Sequence, residues 1–240
     1  MYAKGAFWPS CNKKSNMRCL KPSFQTASPM KRKPFLLLLL PLLALTACTQ
    51  PEPTAGRREK MLYFSLHHPY AAYIIGPREV DANNITSTAV RFSTRIGLDD
   101  AVNPDGRGTQ VNAVRHTLWQ AAITARFNAD IAKAAGDAYE RNNTPPKAEQ
   151  TEFDILYQSD ESIDLRNNAI GRSIAEAHPG ASIKELARLI LDRYHQEGLW
   201  QAFRVERSTG ERYQIRPTRL SDQDYQQAIK KLSALNEQGH

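Results

Sequence analysis

The chain has 240 residues, 41% of them apolar and 24% charged, with a formal net charge of +7. The excess of positive charge does not point to a nucleic-acid partner, because it sits at one end: residues 1–47 hold eight of the 32 Lys and Arg and no Asp or Glu, leaving 24 basic against 25 acidic residues and a formal −1 beyond them. The remainder is long enough for one domain with a real core.

Residues 1–29 read as an upstream extension without a folding role. Met30 then stands directly before Lys31-Arg32-Lys33, and Phe35 to Leu45 form an apolar run broken once by Pro41. A basic start, a short apolar core and a small residue before the cut make a signal peptide over residues 30–47. The run falls short of the roughly 20 apolar residues of a spanning helix. Leu45-Thr46-Ala47-Cys48 resembles the lipobox of bacterial lipoproteins. That resemblance implies cleavage before Cys48, a diacylated Cys48 thiol and an acylated (palmitate-type) N-terminus. Two or more acyl chains give stable membrane anchoring. Cys11 and Cys19 lie in the upstream extension, so the mature chain keeps no thiol for a disulfide, a nucleophile or a zinc-thiolate site.

Residues 48–60, polar and with two prolines, read as the lipidated Cys and a flexible tether, and residues 61–240 as a single helical domain. Leu62 to Ile75 is aromatic and apolar, interrupted by Pro69 and closed by Gly76-Pro77, which suggests a short packed arm. Helices are predicted at about 78–96, 109–127, 130–141, 160–178 and 183–197. Between the first two, Asn103 to Gly108 is a dense turn signal, and residues 142–146 end the third helix. Val111, Val114, Leu118, Ala122 and Ala125 recur at helical spacing. Ser182-Ile183-Lys184-Glu185 is a capping box. Trp200–Arg207 and Glu211–Arg216 bracket Ser208-Thr209-Gly210 as a β-hairpin. Ser221 caps a last helix to about Glu237. The expected fold is therefore mainly α: a compact domain of five or six helices with one small C-terminal hairpin.

Two segments carry more polar groups than a plain amphipathic helix needs. Asn112, His116, Trp119 and Ile123 share one helical face, placing an imidazole beside an indole. In the second segment, Asn167 falls on the apolar face between Ile163 and Ile170. A buried carboxamide without partners costs on the order of 1–3 kcal/mol, so Asn167 must be tied to another element or to a bound group. Asp164, Asn168 and Arg172 follow at intervals of four and stack along one side, as a ligand-binding line or as a ladder joining helices. Glu140, near the end of the third helix, is a third polar element. Gly-Lys-Ser/Thr phosphate loops, Gly-x-Ser-x-Gly elbows and His-Glu-x-x-His zinc motifs do not occur.

The order Arg115-His116-x-x-Trp119, Gly136-x-Ala138-x-Glu140, Asp164-Leu165-x-Asn167-Asn168-x-x-Gly171-Arg172 resembles an uncharacterised bacterial helical domain of secreted and lipid-anchored proteins, also found in C-terminal parts of toxin-like proteins. The resemblance spans about residues 79–200. It implies a site of His116, Glu140 and Asp164 in catalytic roles and Asn167, Asn168 and Arg172 as ligand-binding groups, with Trp119 and Gly171 as packing partners. Two positions depart from the pattern: Tyr139 and Arg166 stand where the family has His. A set with three imidazoles would suit a transition metal or an acid–base pair. One imidazole with two carboxylates leaves the metal and the cofactor open, and Arg166 is expected to bring a positive charge to the place of a cation.

Three functions fit this reading. The first is a membrane-anchored envelope lipoprotein whose domain binds a ligand, an envelope protein or a lipid. The second is an envelope hydrolase with His116 as base, oriented by Glu140 or Asp164, and with Asn168 and Arg172 stabilising negative charge. The third is an immunity or inhibitor lipoprotein. The membrane partner is reached through Cys48, and nucleic acid is not expected. Thr49 rather than Asp after the acylated Cys implies, by resemblance to Gram-negative lipoproteins, delivery to the outer membrane.

Overall fold

The computed structural model describes residues 51, 55–99, 101, 106–140, 149–208 and 210–240. The signal peptide, Cys48, tether residues 49, 50 and 52–54, the first part of the 103–108 turn and the 142–146 helix stop lie outside them. Among the described residues there are eight helices and a three-stranded antiparallel sheet, so the fold is mainly α.

Helix α1 (Arg57–His67) begins inside the stretch read as tether, so Arg57 to Lys60 are helical. The arm expected over 62–75 is the rest of α1 followed by α2 (Pro69–Ile75), with the break at His68 where Pro69 enters as a first-turn residue. Helix α3 spans Ile85–Arg95 and is shorter than the predicted 78–96. Asn84 explains the late start: its side chain accepts the Ser87 N–H and donates to the Pro77 carbonyl at 2.8 Å, capping the helix and holding the preceding loop.

Helix α4 (Gln110–Arg126) is the axis of the fold. It packs against α3, α5 (Ala129–Tyr139), α6 (Leu156–Ala177), α7 (Ile183–Gln196) and strand β2 (Leu199–Arg207). Thr109 caps it, as the turn signal before it implies. The expected single apolar stripe is only part of what α4 buries. Asn112, His116, Thr117 and Gln120 are buried as well, because neighbours surround the helix. Helix α6 starts four residues before the predicted Asp160, at Leu156, and this places Asp160 inside the helix, one turn before Asp164.

The hairpin β2–β3 (β3, Gly210–Thr218) lies where the sequence puts it. A two-residue strand β1 (Glu152–Phe153) pairs with β3 and gives the order β1-β3-β2. Phe153, Ile163, Ala202 and Ile215 form a small second core between α6 and the sheet. The larger core joins α4 to α3, α7 and α8 (Asp222–Ala234). The Ser182 capping box and the Ser221 cap are both formed. No helix among the described residues is long and apolar enough to cross a membrane.

Candidate functional site

The α4–α6 interface carries the polar cluster. Gly171 makes it possible: a Cβ at this position would lie 2.1 Å from the Thr117 carbonyl oxygen, so only glycine lets the two backbones approach this closely. On α4, Asn112 and His116 are one turn apart. On α6, so are Asp160, Asp164 and Asn168. The two lines face each other. Asn112 Nδ2 donates to Asp160 Oδ1 at 3.1 Å and to Asp164 Oδ1 at 2.8 Å. His116 Nε2 lies 3.4 Å from Asp164 Oδ2. Glu140, just past the end of α5, closes the third side. His116, Glu140 and Asp164 each offer a ligand atom, and these atoms lie within 4.8 Å of one another. Zinc-type bonds of about 2.0–2.2 Å set a shell diameter of about 4.0–4.4 Å, so the three ligand atoms would draw in by a few tenths of an ångström around such an ion.

Glu140, Asp160, Glu161 and Asp164 are all buried. Four carboxyls in a low-dielectric space cannot all stay ionised without a counter-charge. Burial, reinforced by Glu161 and Asp160, raises Glu140 to about 8. Burial, with Asp160 and Glu140 next, holds Asp164 well above the usual carboxylate range. Burial lowers His116 to about 3, and the Arg115 and Arg57 cations push in the same direction. Both shifts run against the charged forms, so burial weakens the His116–Asp164 contact as an ion pair. Asp160 also accepts the Gly108 N–H at 3.0 Å, and Arg107 lies 3.3 Å away.

The centre of the cluster is not satisfied. His116 Nδ1, Glu140 Oε1 and both polar atoms of Asn168 are buried and complete no hydrogen bond among the described residues. Asn168 is close enough to favour a charged imidazole, yet its geometry falls short of a bond. Such orphaned groups in a native fold indicate an ion, a water or a ligand that completes them. Over this space lies a cover. Arg57 of α1 stacks on Tyr139 at 3.5 Å from the ring centroid, and the Tyr139 ring is 6.2 Å from that of His116 and 5.7 Å from that of Trp119. Trp119 donates its indole N–H to Thr86 and packs at the edge of the cluster.

The structure thus brings His116, Glu140, Asp164 and Asn168 together. It places Asn167 and Arg172 elsewhere. Asn167 donates to the Trp200 carbonyl and accepts the Trp200 N–H, at 2.9 and 3.0 Å, pinning β2 to α6 with both ends of its carboxamide. Arg172 donates to Gln120 Oε1 at 2.8 Å, and Gln120 in turn donates to the Ala132 carbonyl, a chain that fixes α4, α5 and α6. Arg166 does not bring its charge to the cluster. Its guanidinium lies over the Trp200 ring and donates to the Gln150 carbonyl.

Asp160 and Glu161 belong to the site although sequence reasoning assigned them no role. The interval of four between Asp160 and Asp164 was the available signal. Arg57 had none, because composition put it in a tether. Among known proteins, no curated protein and no solved structure matches the chain. A family model described as a domain of unknown function, DUF6973, matches residues 74–198. Those 125 of 240 residues include every group of the cluster except the covering Arg57, and the chain belongs to the DUF6973 family.

Proposed function

We propose that the protein is an envelope lipoprotein, anchored through acylated Cys48 and delivered to the outer membrane, whose helical domain binds a divalent cation between His116, Glu140 and Asp164. The observation that carries the cation reading is the convergence of these three buried groups with no partner for His116 Nδ1, Glu140 Oε1 or the Asn168 carboxamide. One imidazole among oxygen donors suits Mn²⁺ or Zn²⁺ better than Mg²⁺. A buried imidazole whose basicity is this low is a weak proton acceptor but a ready ligand, since metals bind its neutral form. The lipobox supports the anchor.

Metal content by mass spectrometry on protein purified without chelator tests the cation. Near-stoichiometric Mn or Zn that falls to background in His116→Ala supports the site; metal-free wild type that binds neither ion on titration removes it. Mass analysis of the N-terminal peptide tests the acylation of Cys48 separately.

A second reading, an envelope hydrolase, is favoured by Glu140. A carboxyl held at about 8 retains its proton near neutrality and fits a general acid. On this reading Glu140 rather than His116 moves the proton, and no cation is bound beside it, since a cation there would displace that proton. Hydrolysis of phospholipid vesicles by the protein in the presence of chelator, abolished in Glu140→Gln, supports it.

A further inference from the structure

The geometry points to a membrane-contacting face: the outward side of α1 and α2 rests on a phospholipid surface that contains anionic headgroups. Five of the eight exposed large apolar side chains among the described residues, Met61, Leu62, Leu66, Tyr70 and Tyr73, fall within a run of 13 residues. Isolated exposed apolar residues are ordinary, but a cluster on one element marks an interaction surface. The spacing is regular across the His68–Pro69 break. Lys60, Phe64, Ala71 and Ile75 point inward at intervals of four, seven and four, while Leu62, Leu66 and Tyr73 point outward at four and seven. Leu62, Leu66 and Tyr73 therefore present an apolar side that the domain does not cover.

The chemistry at the edge of the face suits a bilayer interface. Tyr70 accepts a hydrogen bond from Arg126 at 2.7 Å, and exposed Arg58 lies in the first turn of α1, against one acidic residue, Glu59. Tyrosine with arginine at the rim of an apolar strip is the composition that favours the headgroup layer, and the cations favour anionic lipid. Cys48 precedes Arg57 by nine residues, a chain that spans about 30 Å at most when extended. An acyl anchor at Cys48 would keep α1 within that distance of the membrane and supply the second of the two signals that stable association needs. The inference rests on the lipoprotein reading only for that proximity. One consequence concerns the site: Arg57, which covers Tyr139 and His116, lies on the membrane-seated helix.

The full chain, expressed and processed in cells, is reconstituted in phosphatidylethanolamine–phosphatidylglycerol vesicles as Leu66→Cys. An acylated Cys48 does not react, so a thiol fluorophore marks position 66 alone; Ser208→Cys at the hairpin tip is the comparison. Lipids brominated within the acyl chains should remove most of the emission at position 66 and little at position 208. Equal quenching at both positions, or a spectral shift at position 66 that bromination does not affect, overturns the face. The mass of the N-terminal peptide from the same sample reports Cys48. If Cys48 is unacylated, the anchor fails, and the same pair of labelled variants is made with Cys11, Cys19 and Cys48 changed to Ser, so that bromine-dependent quenching at position 66 on adding the protein to vesicles still decides the face.

Discussion

His116 Nε2 stands 3.4 Å from Asp164 Oδ2 because, on the same two helices, Gly171 sits against the carbonyl of Thr117, the next residue after His116. Helix spacing, and through it the cluster, depends on a missing side chain. Gly171→Ala would place its Cβ 2.1 Å from that oxygen, backbone against backbone, and neither partner can rotate away. The expected loss is at or above the upper end of the roughly 1–3 kcal/mol typical of overpacking. Gly136→Ala meets the Gln120 amide at 2.9 Å, the end of a movable side chain, and should cost less. Denaturant unfolding of the two variants checks the order.

Asn167 and Asn168 are adjacent and both buried, yet opposite effects are expected on truncation. Asn167→Ala removes two hydrogen bonds and leaves the Trp200 side of the contact incomplete, so it should destabilise by about 1–3 kcal/mol and leave metal binding intact. Asn168→Ala removes a carboxamide with no completed bond. Its unfolding free energy in metal-free protein should be unchanged or higher, while affinity for Mn²⁺ or Zn²⁺ falls. Chemical unfolding with and without metal separates the two roles.

The metal-free protein should have a stability plateau in pH. Glu140 is raised from about 4.5 to about 8, so the native state binds the extra proton between these values and stability falls as pH rises through them. His116 is lowered from about 6.5 to about 3, so the unfolded state binds the extra proton and stability falls as pH drops through that window. Between about 4.5 and 6.5 the two trends oppose, and Asp164, also raised, adds to the fall with rising pH. Melting temperatures across pH in chelator should show both limbs. Glu140→Gln should flatten the alkaline limb and His116→Gln the acid one. Added metal should reverse the alkaline loss, since it binds the deprotonated ligands.

Much of this was legible in the chain because local signals agreed with tertiary packing. Ser182 and Ser221 cap where their side chains allow, and the hairpin pairs Arg207 with Gly210 on either side of the expected turn. His116, Glu140, Asp164 and Asn168 share a site as their order implies. What spacing could not show was which side of a surrounded helix each polar group serves. Asn167 and Asn168 look alike in sequence, but helical rotation by one residue, about 100°, sends one to a strand and the other to the cluster. Arg166 has enough length to leave the cluster and reach Trp200. The burial of four carboxyls depends on how α4, α5 and α6 pack together, which no single segment encodes.

Tyr139 offers the sharpest test of the cation reading. Its ring is 6.2 Å from that of His116 and half-exposed under Arg57, at the position where the resembling pattern has His. Tyr139→His would place a second neutral nitrogen donor beside an oxygen-rich set, the change expected to favour Zn²⁺ most. Affinity should tighten by roughly tenfold, about 1.4 kcal/mol. Tyr139→Phe keeps the ring and adds no donor, so it should leave affinity unchanged, and Glu140→Gln should weaken binding in both backgrounds. Titration calorimetry with Zn²⁺ reads all of these. A Tyr139→His variant that binds no more tightly than Tyr139→Phe would mean that position 139 packs against the site without entering its coordination shell.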